Sequence, residues 1–191
     1  MHQSIQKGTI NLSMVEVNLE IRKYPALYLF ENPSVFSQLV GRLNEYIGVN
    51  LHPGKKIEKE LPVLICTSGH MRTATKQFIH KCVCTNPSCL VYFCGDFDLE
   101  GVEMLELLYK DFPVNACNFH MDADTYRMFI HDRSDSLTAR ELELLKRKDF
   151  DLAVAMVRYE KKVYQEDVID KLEEELIQIV DLNVCTAAAG R

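Results

Sequence analysis

The sequence has no long apolar run, no glycine motif of a nucleotide-binding site and no excess of basic residues. No run approaches the roughly 20 apolar residues of a membrane-spanning helix, and the first residues lack the apolar core of a secretory signal. Neither G-x-G-x-x-G nor G-x-x-x-x-G-K occurs, which argues against dinucleotide-binding Rossmann domains and P-loop NTPases. The net charge of -6 does not indicate nucleic-acid binding, although a carboxylate site stays negative until a cation fills it. We therefore expect no contact with a membrane and leave DNA binding open.

The composition that remains is typical of a folded protein. Of the 191 residues, 47% are hydrophobic and 26% are charged, enough for one core. The seven cysteines are an odd number, and Cys66, Cys94 and Cys117 fall within predicted buried strands. This usage favours reduced thiols and a cytoplasmic location.

Strand patterns alternate with helix patterns over the first two thirds of the chain. Polar and apolar residues alternate over residues 14–22, which predicts a half-buried strand. Short apolar runs predict four buried strands, at residues 26–30, 61–66, 90–94 and 114–119. Helical patterns separate these runs, with Asn32 as N-cap of the first helix and Pro33 at its first position. The order predicts a small parallel α/β sheet with right-handed crossovers.

The last third of the chain carries only helical patterns. Thr138 and Glu141 have the spacing of a capping box, and amphipathic helices are expected at residues 152–162 and 166–180. No further strand is expected after Thr125. We therefore divide the chain into an N-terminal strand and linker at residues 1–23, an α/β domain at 24–124 and a helical C-terminal extension at 125–191.

Two aspartates follow the third buried strand of the alternating region. Asp96 and Asp98 lie in its turn to the next helix, where open α/β sheets bind ligands. Neighbouring carboxylates repel unless a proton or cation lies between them, and a hard divalent ion such as Mg²⁺ suits them. The alternative is that they cap the following helix, with Gly101 easing the turn.

A third acid is expected at the same edge of the sheet. Glu31 follows the first buried strand, and the carboxyl ends of parallel strands open on one edge. Together with Asp96 and Asp98 it could hold one or two Mg²⁺ ions that act on a phosphodiester. The alternative for Glu31 is an acid favoured by the dipole of the following helix.

This order of acids, a glutamate after the first strand and D-x-D after the third, resembles the Toprim fold. That fold is shared by type IA and type II topoisomerases, bacterial primases and overcoming-lysogenization-defect nucleases. Three segments are similar to the C-terminal Toprim domain of the nuclease subunit of Wadjet plasmid-defence systems, a relative of the A subunit of topoisomerase VI: LYLFENP at 27–33, VLICTSG at 63–69 and GDFDLEG at 95–101. The resemblance covers residues 24–120, and more loosely 159–170.

The resemblance implies cleavage of double-stranded DNA that depends on Mg²⁺ or Mn²⁺. Glu31 would be the general acid/base or a metal ligand, and Asp96 and Asp98 would hold metal. Ser68 and Gly69 would shape the backbone beside the phosphate. Possible partners are DNA, an SMC-like motor and a second copy of the chain.

The resemblance also extends to the helical part. The segment YQED at residues 164–167 is similar to a Gln-Glu or Glu-Glu pair near the end of that branch, which would make Glu166 an extra acid of the metal site. The alternative is a surface helix carboxylate.

Related proteins carry a winged-helix-like DNA-binding module before the Toprim domain, and the first motif at Leu27 leaves no room for it. We expect a domain cut from a longer protein or a short stand-alone member, with water as the nucleophile. One rival is a docking module with relic carboxylates that contacts an SMC-like motor and a dimer partner. Another is a topoisomerase-type transesterase, which needs a tyrosine on the missing module.

Other patterns in the sequence are assigned structural roles. The histidine and cysteines of residues 80–89 lack the paired C-x-x-C of a zinc knuckle. Asp122 and Asp124 form a second D-x-D, which we expect to cap a helix. Tyr159 and Tyr164 have no activating base nearby in the sequence and are expected to pack. Haloacid-dehalogenase-type phosphatases carry their D-x-D after the first strand, where this chain has a glutamate.

Overall fold

The structure, a computed structural model, describes residues 23–50, 55–57 and 62–186, with side chains described outside 55–57 and 183–186. The strands are β1 (Ala26–Phe30), β2 (Lys55–Ile57), β3 (Val63–Cys66), β4 (Leu90–Cys94), β5 (Ala116–Asn118) and β6 (Val184–Thr186). The helices are α1 (Pro33–Asn50), α2 (Thr73–Thr85), α3 (Leu99–Asp111), α4 (Ala123–Phe129), α5 (Ala139–Leu145), α6 (Asp151–Tyr159) and α7 (Ile169–Asn183). The strand predicted at residues 14–22 lies outside the described residues.

Four of the strands form a parallel sheet in the order β3-β1-β4-β5. The pairing of β1 with β4 runs from Ala26 opposite Leu90 to Phe30 opposite Cys94. The two central strands therefore end level with each other, and the turns after them start side by side. Helices flank the sheet and supply the crossover connections that parallel strands need. The predicted fold class, a small Rossmann-like α/β sheet with helices, is confirmed.

The outer strands are shorter than the apolar runs suggested. β3 begins at Val63 and β5 covers only Ala116–Asn118. Val114, expected in β5, is 84% exposed. Asn115 turns inward instead, and its side-chain amide donates to the carbonyl oxygens of Pro87 (2.8 Å) and Cys89 (2.9 Å). The backbone carbonyl of Asn115 still accepts from the N–H of Val91 at 2.8 Å, and β5 begins two residues later than predicted.

Helix α1 begins where the sequence predicts. The side-chain oxygen of Asn32 accepts from the backbone N–H of Ser34 at 2.8 Å, which satisfies one of the unpaired amides of the first turn. Pro33 occupies the first helical position, where no N–H is needed. Val35, Leu39 and Leu43 are buried and form the face that packs on the sheet.

The last third of the chain is helical except at its end. The capping box of Thr138 and Glu141 is present at the start of α5. The expectation of no strand after Thr125 is wrong, because β6 pairs antiparallel with β2. Each of these strands has three residues, too few for a periodic pattern, and they lie more than a hundred residues apart.

The segment between α6 and α7 is not helical at residues 160–162 and 166–168, where helix was expected. It is irregular or extended as far as Tyr164 and forms a turn at residues 165–168. Helix α6 ends at Tyr159 because Glu160 takes a left-handed conformation with φ 57°. Lys161 then pairs with Ser136, and Val163 pairs with Phe97. We call residues 161–168 the strap, since they run along the turn after β4 before α7 starts at Ile169.

A single hydrophobic core crosses the predicted boundary at residue 124. The fully buried side chains include Phe30 and Phe93 of the sheet together with Met156, Leu172 and Leu176 of the helical part. The division into 24–124 and 125–191 stays a prediction, and the packing shows that the two parts share their interior. Within the described ranges, no helix is both long and apolar enough to cross a membrane.

Candidate functional site: carboxylates at the edge of the sheet

Glu31 and Asp96 meet where the two central strands end. The backbone N–H of Glu31 continues the ladder and donates to the carbonyl oxygen of Cys94 at 3.2 Å. The Glu31 side chain then reaches across, and its Oε2 accepts from the backbone N–H of Asp96 at 3.3 Å. Gly95 makes this approach possible, because a Cβ at that position would lie 2.6 Å from Glu31 Oε2. The predicted convergence of the first and third units is therefore present in the fold.

The two aspartates are held by different parts of the chain. Asp96 Oδ1 accepts from the backbone N–H of Gln165 in the strap at 2.7 Å. Asp98 is the N-cap of α3, and its Oδ1 accepts from the N–H of Gly101 at 2.9 Å. The capping alternative thus holds for Asp98. Capping uses only one carboxylate oxygen of Asp98, so the other oxygen can still bind a cation.

The surroundings of the site disfavour the charged forms of Glu31 and Asp96, so the pKa values of both carboxyl groups are raised. Burial raises the pKa of Glu31 to about 7; the hydrogen bond from the Asp96 N–H lowers it, and the charges of Asp96, Asp98 and Glu100 raise it further. Burial also raises the pKa of Asp96. The N–H of Gln165 opposes that rise, and Asp98 is the first of the negative neighbours that reinforce it. A bound proton or cation would relieve this repulsion.

The acids fit a cation held by few protein ligands. Over the described ranges, no three His, Cys, Asp or Glu side chains are arranged as a preformed metal cage. No described residue donates to Oε1 of Glu31 or to Oδ2 of Asp96 or Asp98. Mg²⁺ commonly binds through one or two carboxylates and completes its shell with water and substrate phosphate. Glu31, Asp96 and the second oxygen of Asp98 are therefore the groups that could hold such an ion.

The loop after β3 lies against the same edge. The N–H of Thr67 donates to the carbonyl oxygen of Phe30 at 2.9 Å, and the N–H of Gly69 donates to that of Glu31 at 3.4 Å. Ser68 and Gly69 have positive φ, 52° and 83°, and the first is uncommon for a residue with a Cβ. Such backbone strain concentrates at functional sites. The predicted role of Ser68 and Gly69 beside a phosphate stays a prediction. Their loop lies at the same edge of the sheet as the acids.

The predicted extra acid, Glu166, also lies near the site. Its Oε1 accepts from Asn32 Nδ2 at 2.7 Å, and its charge contributes to the raised pKa of Asp96. Its side chain is exposed, as the alternative of a surface carboxylate requires. Glu166 is both near the acids and exposed, so its position fits an extra acid of the site as well as a surface carboxylate.

One residue of the site was not found from the sequence. Gln165 is fully buried, and its side chain donates to the carbonyl oxygen of Cys94 at 2.8 Å while accepting from the N–H of Asn32 at 2.9 Å. Its own N–H bonds to Asp96. A glutamine beside Tyr164 and Glu166 in a polar segment gives no signal of burial, since its partners are distant in the sequence.

Asp122 and Tyr164, which the sequence assigned to structural roles, both make hydrogen bonds within the fold. Asp122 caps α4, since its Oδ1 accepts from the N–H groups of Asp124 (3.0 Å) and Thr125 (2.8 Å). The hydroxyl of Tyr164 donates to Asp135 at 2.6 Å, and this bond is the main reason that its pKa is raised to about 12. A phenol so difficult to ionise is poorly suited to act as a nucleophile.

A family described as "Protein of unknown function C-terminus (DUF2399)" matches residues 9–176. The chain belongs to this family. The DUF2399 match includes Glu31, Asp96 and Asp98 as well as Gln165 and Glu166, so the family unit spans the sheet and the strap. No curated protein matches the chain.

Proposed function

We propose that this chain is the Toprim-type, metal-dependent DNA endonuclease domain of a plasmid-defence or foreign-DNA-defence system. The observation that supports this most is the contact between Glu31 and the turn of Asp96, from two adjacent strands that end level. The class of substrate comes from the resemblance of three ordered segments to the Wadjet nuclease subunit. Phosphodiester hydrolysis is the reaction proposed.

Each residue of the site has a distinct task in this proposal. Glu31 and Asp96 hold Mg²⁺ or Mn²⁺, which when bound neutralises charge that develops on the phosphate. Asp98 anchors the start of α3 through its cap and adds negative charge beside the ion. Because the pKa of Glu31 is raised to about 7 in the metal-free chain, a cation would bind there in exchange for a proton near neutral pH. Water is the nucleophile.

Nicking of supercoiled plasmid by the chain in its native assembly tests this proposal. Glu31→Gln, Asp96→Asn and Asp98→Asn remove one charge each, and asparagine at 98 keeps the ability to cap α3. We expect each to reduce Mg²⁺-dependent nicking at least a hundredfold, on the order of the loss when one transition-state charge contact is removed. Asp122→Asn, a matched change at the cap of α4, should leave nicking unchanged. Full nicking by Asp96→Asn would refute the assignment.

A second candidate is a docking module whose acids no longer hold metal. It is favoured by one observation, that the described side chains form no three-ligand cage. Such a module would contact an SMC-like motor and a second copy of the chain through its helical part. A relic site would show no saturable binding of Mg²⁺ or Mn²⁺ in calorimetry.

A further inference from the structure

We infer that Gln165 is a positioning residue that sets the separation of Glu31 and Asp96, so that the strap completes the carboxylate site. This inference rests on the proposed function, since it concerns the same acids. It goes beyond that function by assigning part of the site to the helical third of the chain.

The Gln165 side chain lies between the two central strands where they separate. Phe30 and Cys94 form the last register pair of β1 and β4. Beyond them, the Gln165 amide accepts from the N–H of Asn32 at 2.9 Å and donates to the carbonyl oxygen of Cys94 at 2.8 Å. One side-chain amide thus joins the two segments as a peptide group would, since it donates to the last residue of β4 and accepts from the cap residue of α1.

These two anchors adjoin the acids directly. Asn32 follows Glu31, and Cys94 precedes the Gly95–Asp96 peptide whose N–H binds Glu31 Oε2. At 3.3 Å that bond is long for an N–H to oxygen contact, so it does not by itself fix the two acids. The short bond of 2.7 Å from the Gln165 N–H to Asp96 Oδ1 orients the aspartate carboxylate. These three hydrogen bonds of Gln165 therefore act on the geometry of Glu31 and Asp96.

The strap is itself held on both sides of Gln165. Phe97 donates its N–H to the carbonyl oxygen of Val163 at 2.8 Å, and Val163 is fully buried. On the other side, the N–H of Val168 donates to the carbonyl oxygen of Gln165 at 3.3 Å, and Val168 is also fully buried. Gln165 is therefore fixed in place before any ligand binds, as outer-shell partners of metal ligands usually are.

A matched control exists at the opposite edge of the sheet. Asn115 is also a buried amide, and it also bonds the backbone of a distant segment, through the carbonyl oxygens of Pro87 and Cys89 just before β4. Gln165→Met and Asn115→Leu each remove a buried amide at similar volume. Both should lower stability. Gln165→Met leaves the Asn32 N–H without its acceptor, and Asn115→Leu removes the side-chain donor to the carbonyl oxygens of Pro87 and Cys89. Only the Gln165 change should affect the acids.

The test is Mn²⁺ binding by calorimetry on the wild-type chain and both variants, together with their melting temperatures. We expect Gln165→Met to weaken Mn²⁺ binding by about 10-fold to 100-fold, as changes in outer-shell partners do, and Asn115→Leu to leave it within about twofold. Equal affinity of wild type and Gln165→Met would overturn the inference. If Gln165→Met does not fold, Gln165→Asn replaces it, because it keeps the amide but shortens its reach by one methylene.

A readout without metal separates this inference from the proposed function. If the wild-type chain binds no Mn²⁺, the proposed function fails. Amide hydrogen exchange then still tests whether Gln165 positions Glu31 and Asp96. The Asp96 amide, which donates to Glu31, should exchange about tenfold faster or more in the Gln165 variant and not in Asn115→Leu. Unchanged exchange at Asp96 would overturn the inference on its own.

Discussion

Glu31→Gln should stabilise the metal-free protein at neutral and alkaline pH. The pKa of Glu31 is raised from 4.5 to about 7, mainly by burial. At roughly 1.4 kcal/mol per pKa unit this corresponds to about 3 kcal/mol, which solvent screening of a half-buried group reduces to about 2 kcal/mol. Glutamine keeps the oxygen that accepts from Asp96 and removes the charge. The native state of the wild type binds the extra proton between the two pKa values. The contribution of Glu31 to stability is therefore fully present below pH 4.5 and is lost as the pH rises through about 7.

Urea unfolding of wild type and Glu31→Gln between pH 4 and pH 8, with EDTA present, measures this difference. The variant should gain little at pH 4 and about 2 kcal/mol at pH 8, or roughly 4–8 °C in melting temperature for a chain of this size. Addition of Mg²⁺ at pH 8 should stabilise the wild type and narrow the gap. A stability difference that does not change with pH would refute the reasoning, since it would mean that burial does not disfavour the charged form of Glu31.

Three further changes have signs that follow from the structure. Burial raises the pKa of Glu141, but the hydrogen bonds with Lys162 and Thr138 and the charge of Lys162 together outweigh it and lower that pKa. Glu141→Gln should therefore destabilise by less than about 1 kcal/mol at pH 7 and lose its effect as the pH falls below 4.5; a pH series of melting curves checks this. Gly101→Ala should destabilise by more than about 2 kcal/mol although alanine favours helices, because its Cβ would overlap the carbonyl oxygen of Asp96; a gain in stability would contradict the turn geometry. Gly41→Ala, in an exposed part of α1 with no described atom within 4 Å of its Cβ, should stabilise by roughly 0.5–1 kcal/mol in urea unfolding.

The sheet and its acids were predictable from the sequence for a simple physical reason. Buried parallel strands appear as short apolar runs, and all their carboxyl ends face one edge. Glu31 and Asp96 could therefore be placed together before their strand order was known. The pairing of β1 beside β4 supplies the remaining condition, that their strands are neighbours.

The contributions of the helical part could not be read from local patterns. Gln165 is buried only because its partners, Asn32 before α1 and Cys94 at the end of β4, offer a donor and an acceptor at least 70 residues away in the sequence. The pairing of β2 with β6 has the same character, since neither strand is long enough to show a period. In the α/β part, the role of Asp98 was also ambiguous, because an aspartate that caps a helix and one that belongs to a metal site have the same sequence signature.

Calorimetric titration of the metal-free chain with Mn²⁺ tests the central claim, that acids from two adjacent strands trap a divalent cation. We expect saturable binding by the wild type, loss of binding in Glu31→Gln and Asp96→Asn, and unchanged binding in Asp122→Asn. Heats that never saturate for the wild type, or equal affinity in Asp96→Asn, would contradict the claim.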